Sequence, residues 1–208
     1  MLINTMRPAL NFCAIAFIAT VVLPATSACQ HSSSKQSASD LLAHVEANAE
    51  KGTGSLGNVL RNPGNMSAPR VDSLLTGLET LALTSRSELV RQSAASSLTQ
   101  AGIASNARPG STGRAISVYN RSTDALVRRT ILSLMHLQSE RTVAVAFLTA
   151  VATKAGSDQA FEEESLVAVS TLANVRPGGS NRVLALLAEG RLRDPAAKGF
   201  AEWLAKQP

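Results

Sequence analysis

From Ser39 to the C-terminus, apolar side chains recur every three or four residues and no stretch alternates with period two, which is the pattern of amphipathic helices and not of strands. Leu41, Leu42 and Val45 open a short helix to about Glu50 behind a cap at Ser39 or Asp40. Gly52 to Pro69 is rich in Gly, Asn and Pro and reads as a loop holding at most one helical turn. Helices are then predicted over Asp72–Thr84, from a Ser87 cap to Gly102, over Thr112–Asn120, from Ser122 or Thr123 through Met135, over Glu140–Lys154, over Glu162–Val175, over Asn181–Gly190, and from Pro195 onward with Phe200, Trp203 and Leu204 packing back. Aromatic residues make up only 3% of the chain, so the core has to be built from Ala, Leu and Val, and the first two are strong helix formers. The fold class is all-α.

The helices come in pairs, and the pairs repeat. Val90-Arg91 is followed by Ala94, Ala95 and Leu98, and 37 residues on Val127-Arg128 is followed by Ile131, Leu132 and Met135. A further step of 37 reaches Glu164-Ser165, then Ala168, Val169 and Leu172, which keeps the apolar positions and loses the Val-Arg pair. A two-helix unit of this length cannot bury its apolar face alone, so neighbouring units have to stack. On these residues the stretch from Val71 to Gln207 resembles the HEAT-repeat family, whose second helix carries Val-Arg followed by small and aliphatic residues. The resemblance implies an α-solenoid of about three or four antiparallel helix pairs over 71–208, preceded by an N-terminal helix and loop over 41–70. Such folds host scaffolds, receptors and occasional enzymes, so no activity follows from the fold alone.

The first 28 residues read as an export signal. Arg7 supplies the positive start, Phe12 to Leu23 is a 12-residue apolar run, and Pro24 and small residues follow. A permanent bilayer span needs about 20 apolar residues, so the run suits a cleaved signal and not an anchor. Thr26-Ser27-Ala28-Cys29 resembles the lipobox of bacterial lipoproteins, in which the cysteine becomes the lipidated first residue, although an aliphatic residue is usual where Thr26 stands. The other reading is ordinary cleavage after Ala28, leaving a free thiol. The polar, Ser-rich run that follows, through Asp40, suits a tether from a membrane anchor (29–40), and an exposed thiol suits an oxidising compartment poorly. The lipoprotein resemblance implies a location on the periplasmic side of a bacterial membrane, the outer membrane if the host is Gram-negative, because Gln30 and not Asp follows the cysteine.

Candidate chemistry is sparse. His31, His44 and His136 have no partners at metal-ligand spacing, Cys13 falls in the removed segment, and no nucleophile elbow or phosphate-cradling glycine loop occurs. Glu162-Glu163-Glu164 reads as acids favoured at a helix start. The expectation is a protein without catalytic residues, cofactor, metal or small-molecule substrate. The arginines stand out: positions 86, 91, 108, 114, 121, 128, 129 and 141 are basic against Glu88, Asp124 and Glu140. Two readings stay open. In HEAT-type repeats the arginine of the second helix often pairs with an acid of the next repeat. Alternatively Arg91, Arg128 and Arg129 form a ridge that grips an acidic envelope protein or anionic headgroups. Nucleic acid is disfavoured, because no aromatics interleave the arginines. The functional expectation is a lipid-anchored binding or scaffold module of the cell envelope; the alternative is a periplasmic inhibitor of immunity type that neutralises an enzyme.

Overall fold

A computed structural model describes residues 36–63, 66–103, 109–154 and 159–207. The expected export signal, Cys29, His31 and most of the expected tether lie outside the described residues, as does Arg108. The described chain is all-helical: α1 (Ala38–Asn48), α2 (Gly57–Arg61), α3 (Ala68–Thr84), α4 (Glu88–Gln100), α5 (Ser111–Arg121), α6 (Ala125–Leu134), α7 (Arg141–Thr153), α8 (Gln159–Ala173), α9 (Gly179–Ala188) and α10 (Pro195–Leu204). Short 3₁₀ turns extend α1 over Ala49–Lys51 and α6 over Met135–Leu137.

Side-chain oxygens cap four of the described starts. Ser37, two residues earlier than expected, closes a capping box with Asp40 on α1. Ser87 caps α4, Asp124 accepts from the amides of Leu126 and Val127 at the head of α6, and Asp194 accepts from Ala197 on α10. The third helix begins at Ala68 and not at Asp72, because Pro69 fits a first turn, where its missing N–H costs nothing. Likewise α8 begins at Gln159. Glu163 and Glu164 therefore lie a turn inside the helix and are not caps, a correction to the expectation for that acidic run.

Helices of 10 to 17 residues are marginal alone, so packing holds these in place. Each odd helix from α3 on pairs with the even helix that follows it; α1, α3, α5 and α7 pack successively, and so do α2, α4, α6, α8 and α10. Among the described residues no substantial helix–helix contact joins elements more than three places apart in chain order. Ala94, Ala95 and Leu98 on α4, Ile131, Leu132 and Met135 on and after α6, and Ala168, Val169 and Leu172 on α8 are all inaccessible to solvent. The same 37-residue spacing links buried positions of the odd helices: Leu74, Ser111 and Leu148; Leu75, Thr112 and Thr149; Leu41, Leu78, Ala115 and Ala152. Leu41, Val45 and Leu60 belong to one apolar cluster with the rest, and Ser32–Pro208 is one compact unit, so packing continues across the expected division at residue 71. Close approach of α1 to α3 requires Gly77, where a Cβ would meet the Leu42 side chain at 2.2 Å.

The end of the chain departs from expectation. The inward face of α10 is Ala197 and Ala201, both fully buried, while Trp203 is 52% exposed and tilts onto Phe200 with ring centroids 5.7 Å apart. Trp203 follows the buried Ala201 by only two positions, which turns it away from the core on a helix.

Candidate interaction surface

The three arginines singled out from sequence all lie on even helices, and each has a partner within the chain. Arg91 on α4 bonds the Asp124 carboxylate through Nε at 2.7 Å, while its Nη1 donates to the carbonyls of Ser85 at 2.9 Å and Arg86 at 3.2 Å. One guanidinium thus closes the C-terminus of α3 and grips the residue that caps α6. Burial pushes the Asp124 carboxyl up, but the Arg91 guanidinium and the two cap amides outweigh it and hold the group below its ordinary value.

Arg128 on α6 reaches Glu164 on α8 at 2.5 Å and sits over the Tyr119 ring, with Cζ 4.6 Å from the centroid. The Tyr119 hydroxyl donates to the same Glu164 oxygen at 2.6 Å, and its ring meets Phe147 edge-on at 4.9 Å. Three elements (α5, α6 and α8) are therefore tied at one buried carboxylate whose side chain is 3% exposed. Burial, together with the bond to Glu164, pushes the Tyr119 hydroxyl up to about 12, so the phenol stays protonated and keeps donating. Arg129 pairs with Glu163, but here both side chains are open to solvent, 40% and 44% exposed. On the odd helices Arg114 spans from α5 to Glu79 of α3 at 2.6 Å. Sequence reading raised interrepeat pairing for Arg91 and Arg128 without naming the acids. It missed Glu163, Glu164 and Tyr119 as partners, because nothing local marks two acids 34 and 36 residues away as the counterions.

Half-buried small polar groups recur along α4, α6 and α8. Ser96, Ser133 and Ser170 recur at 37-residue spacing, all half-buried, with Ser93 and Thr130 beside them. Ser133 and Ser170 hydroxyls donate to the carbonyls of Thr130 and Val167, each three residues back. Arg129 stands one turn before Ser133 on the same side of α6.

The two described histidines bond groups of the chain itself. His44 donates from Nε2 to the Thr53 carbonyl at 3.3 Å and accepts at Nδ1 from Asn48, while His136 Nδ1 donates to the Ser133 carbonyl at 2.9 Å. Among the described residues no group of three or more His, Cys, Asp or Glu could hold a metal ion, and no helix is long and apolar enough to cross a membrane. Comparison with known protein families, curated proteins and solved structures finds no match.

Proposed function

We propose that this chain is an exported, non-enzymatic binding or scaffold protein of the bacterial envelope, a HEAT-like α-solenoid tethered to the membrane through a lipid on Cys29. The observation that carries the reading is the packing of every helix on near neighbours in chain order, with ion pairs joining one even helix to the next. An arrangement of that kind leaves the outward face of the even helices continuous and rigid, which suits capture of an extended protein partner. Arg91 and Arg128 support this face through their intrachain pairs and position its helices. Arg129 is the arginine placed to meet an acidic partner, since both it and Glu163 remain accessible.

The test is site-specific photo-crosslinking in the native envelope, with the photoreactive residue at Ser133 on the even face or at the exposed Gly113 on α5. A discrete adduct from position 133, lost in Arg129→Glu and absent from position 113, supports the reading. Equal labelling from both positions, or capture indifferent to Arg129→Glu, removes the even face as the binding surface.

A further inference from the structure

The fold gathers its chain reversals on two opposite edges, which differ in the apolar side chains they expose. On one edge the ends of even helices meet the starts of odd helices. Ser139, in the α6–α7 turn, donates through both its amide and its hydroxyl to the Gly102 carbonyl of the α4–α5 turn. Glu140 reaches across to the amides of Gly110 and Thr112 at the head of α5. The amide of Gly179, at the start of α9, bonds the Val175 carbonyl just past α8. From the end of α6 to the end of α10 this edge presents Arg141, Arg176, Arg182 and Lys206, all exposed and without an ion-pair partner among the described residues. Its acids are Asp40 and Asp72 near the heads of α1 and α3, Glu140, whose bonds from backbone amides draw its carboxyl below the ordinary value, and Glu202, 3.9 Å from Lys198. Among the described residues four large apolar side chains are exposed, and three stand on this edge: Leu137 at 45%, Val143 at 44% and Trp203 in the last turn of α10. The opposite edge is basic as well, with Lys51, Arg86, Arg121, Lys154, Arg191 and Arg193 beside exposed Glu50, Glu88 and Glu189, but among the described residues it exposes one large apolar side chain, Leu89.

The entry of the chain selects between the edges. α1 runs alongside α3 in the same direction, with Asp40 in its first turn within electrostatic reach of Arg70 in the first turn of α3, and Leu42 against Gly77. Ala38 therefore starts on the side of the edge that carries Leu137, Val143 and Trp203. Eight residues separate it from Cys29, a reach of roughly 30 Å at full extension.

We infer that this edge, with Arg141, Arg176, Arg182 and Lys206 around Leu137, Val143 and Trp203, docks flat on an anionic bilayer surface. Cations attracted to lipid phosphates combine with apolar and indole groups that settle at headgroup depth, and each gains little without the other. The even face is then presented sideways, clear of the membrane. The inference rests on the lipid-anchor reading only for why this edge lies near a bilayer; the surface itself binds without an acyl chain.

The experiment uses the chain from Cys29 with Cys29→Ser, mixed with vesicles of phosphatidylcholine alone or with phosphatidylglycerol. Binding is expected only to the anionic vesicles and is expected to weaken as salt rises. A surface cation contributes roughly fivefold in affinity, so Arg141→Glu/Arg176→Glu/Arg182→Glu is expected to bind at least about 100-fold more weakly. The charge-matched control Lys51→Glu/Arg86→Glu/Arg121→Glu, on the opposite edge, is expected to keep most of its binding. Trp203 is the only tryptophan of the chain, and its emission is expected to shift to the blue on binding. Equal loss in the two triple variants, equal binding to neutral vesicles, no binding, or bound protein with unchanged tryptophan emission overturns the inference. Acylation of Cys29 is read separately, by incorporation of a labelled fatty acid into the unaltered chain in cells. Acylation without vesicle binding leaves the anchor standing and removes the docking edge, and edge-specific binding without acylation does the reverse.

Discussion

Glu163 and Glu164 are adjacent, carry the same charge and each pair with an arginine of α6, yet their removal is expected to cost very different amounts. Glu164 is 3% exposed and takes two bonds, from Tyr119 Oη at 2.6 Å and Arg128 at 2.5 Å. In Glu164→Ala the buried phenol loses its acceptor, at about 1–3 kcal/mol. Breaking a fully buried ion pair costs about 3–5 kcal/mol. Arg128 is 22% exposed, so water recovers part of its charge, and the two losses overlap because they share one carboxylate. The net expectation is about 3 kcal/mol. The partners of the neighbouring pair are 40% and 44% exposed, and Glu163→Ala is expected to cost under about 1 kcal/mol. For a unit the size of Ser32–Pro208, about 2–4 °C per kcal/mol translates these into a fall in Tm of about 6–12 °C against under about 4 °C. Thermal unfolding followed by circular dichroism at 222 nm measures both. Equal shifts, or a loss under about 1 kcal/mol for Glu164→Ala, refute the argument that burial of the carboxylate decides the cost.

Tyr119 is the only tyrosine, so ultraviolet titration reads it directly and should give a value near 12 in the folded chain. The unfolded value is about 10, so the native state holds this proton more tightly; the stabilisation is complete below about pH 10 and is lost as pH rises from there towards 12, which urea titrations across that window check. Asp124→Ala removes the α6 cap and the partner of Arg91 together, and chemical denaturation should show a loss of about 2 kcal/mol. Gly102→Ala places a Cβ 1.9 Å from the Oε1 of Gln138, which is buried and tied to Thr112 and to the Thr99 carbonyl; a loss of about 1–3 kcal/mol is expected by the same method.

The helical class and the inward residues of the even helices were legible because Ala94, Leu98, Ile131, Leu132, Val169 and Leu172 follow a clean 3.6-residue period. The matching spacing in the odd helices was not, because Ser111, Thr112 and Thr149 occupy buried positions and break the apolar class. The Thr112 hydroxyl is satisfied by Gln138, whereas the Thr149 hydroxyl is buried without a hydrogen-bond partner among the described residues. Gln138 itself is a buried amide in a turn, a position where sequence reading expects solvent. Trp203 misled in the opposite sense: a large aromatic near the end of a chain reads as core, and only the register of α10, set by the Asp194 cap, turns it outward. Arg91 and Arg128 were visible as a pair, but their acids sit at unequal distances along the chain, so the choice between a free ridge and an internal brace needed coordinates.

Hydrogen exchange on Ala201→Asp tests most directly the claim that stability passes only between neighbouring helices. Ala201 is fully buried on α10, which packs on α8 and α9. A charge there should strip protection from α9 and α10 and weaken α8, while amides of α3 and α4 exchange as slowly as before. A drop in protection by one common factor across every helix, α3 and α4 included, would contradict it.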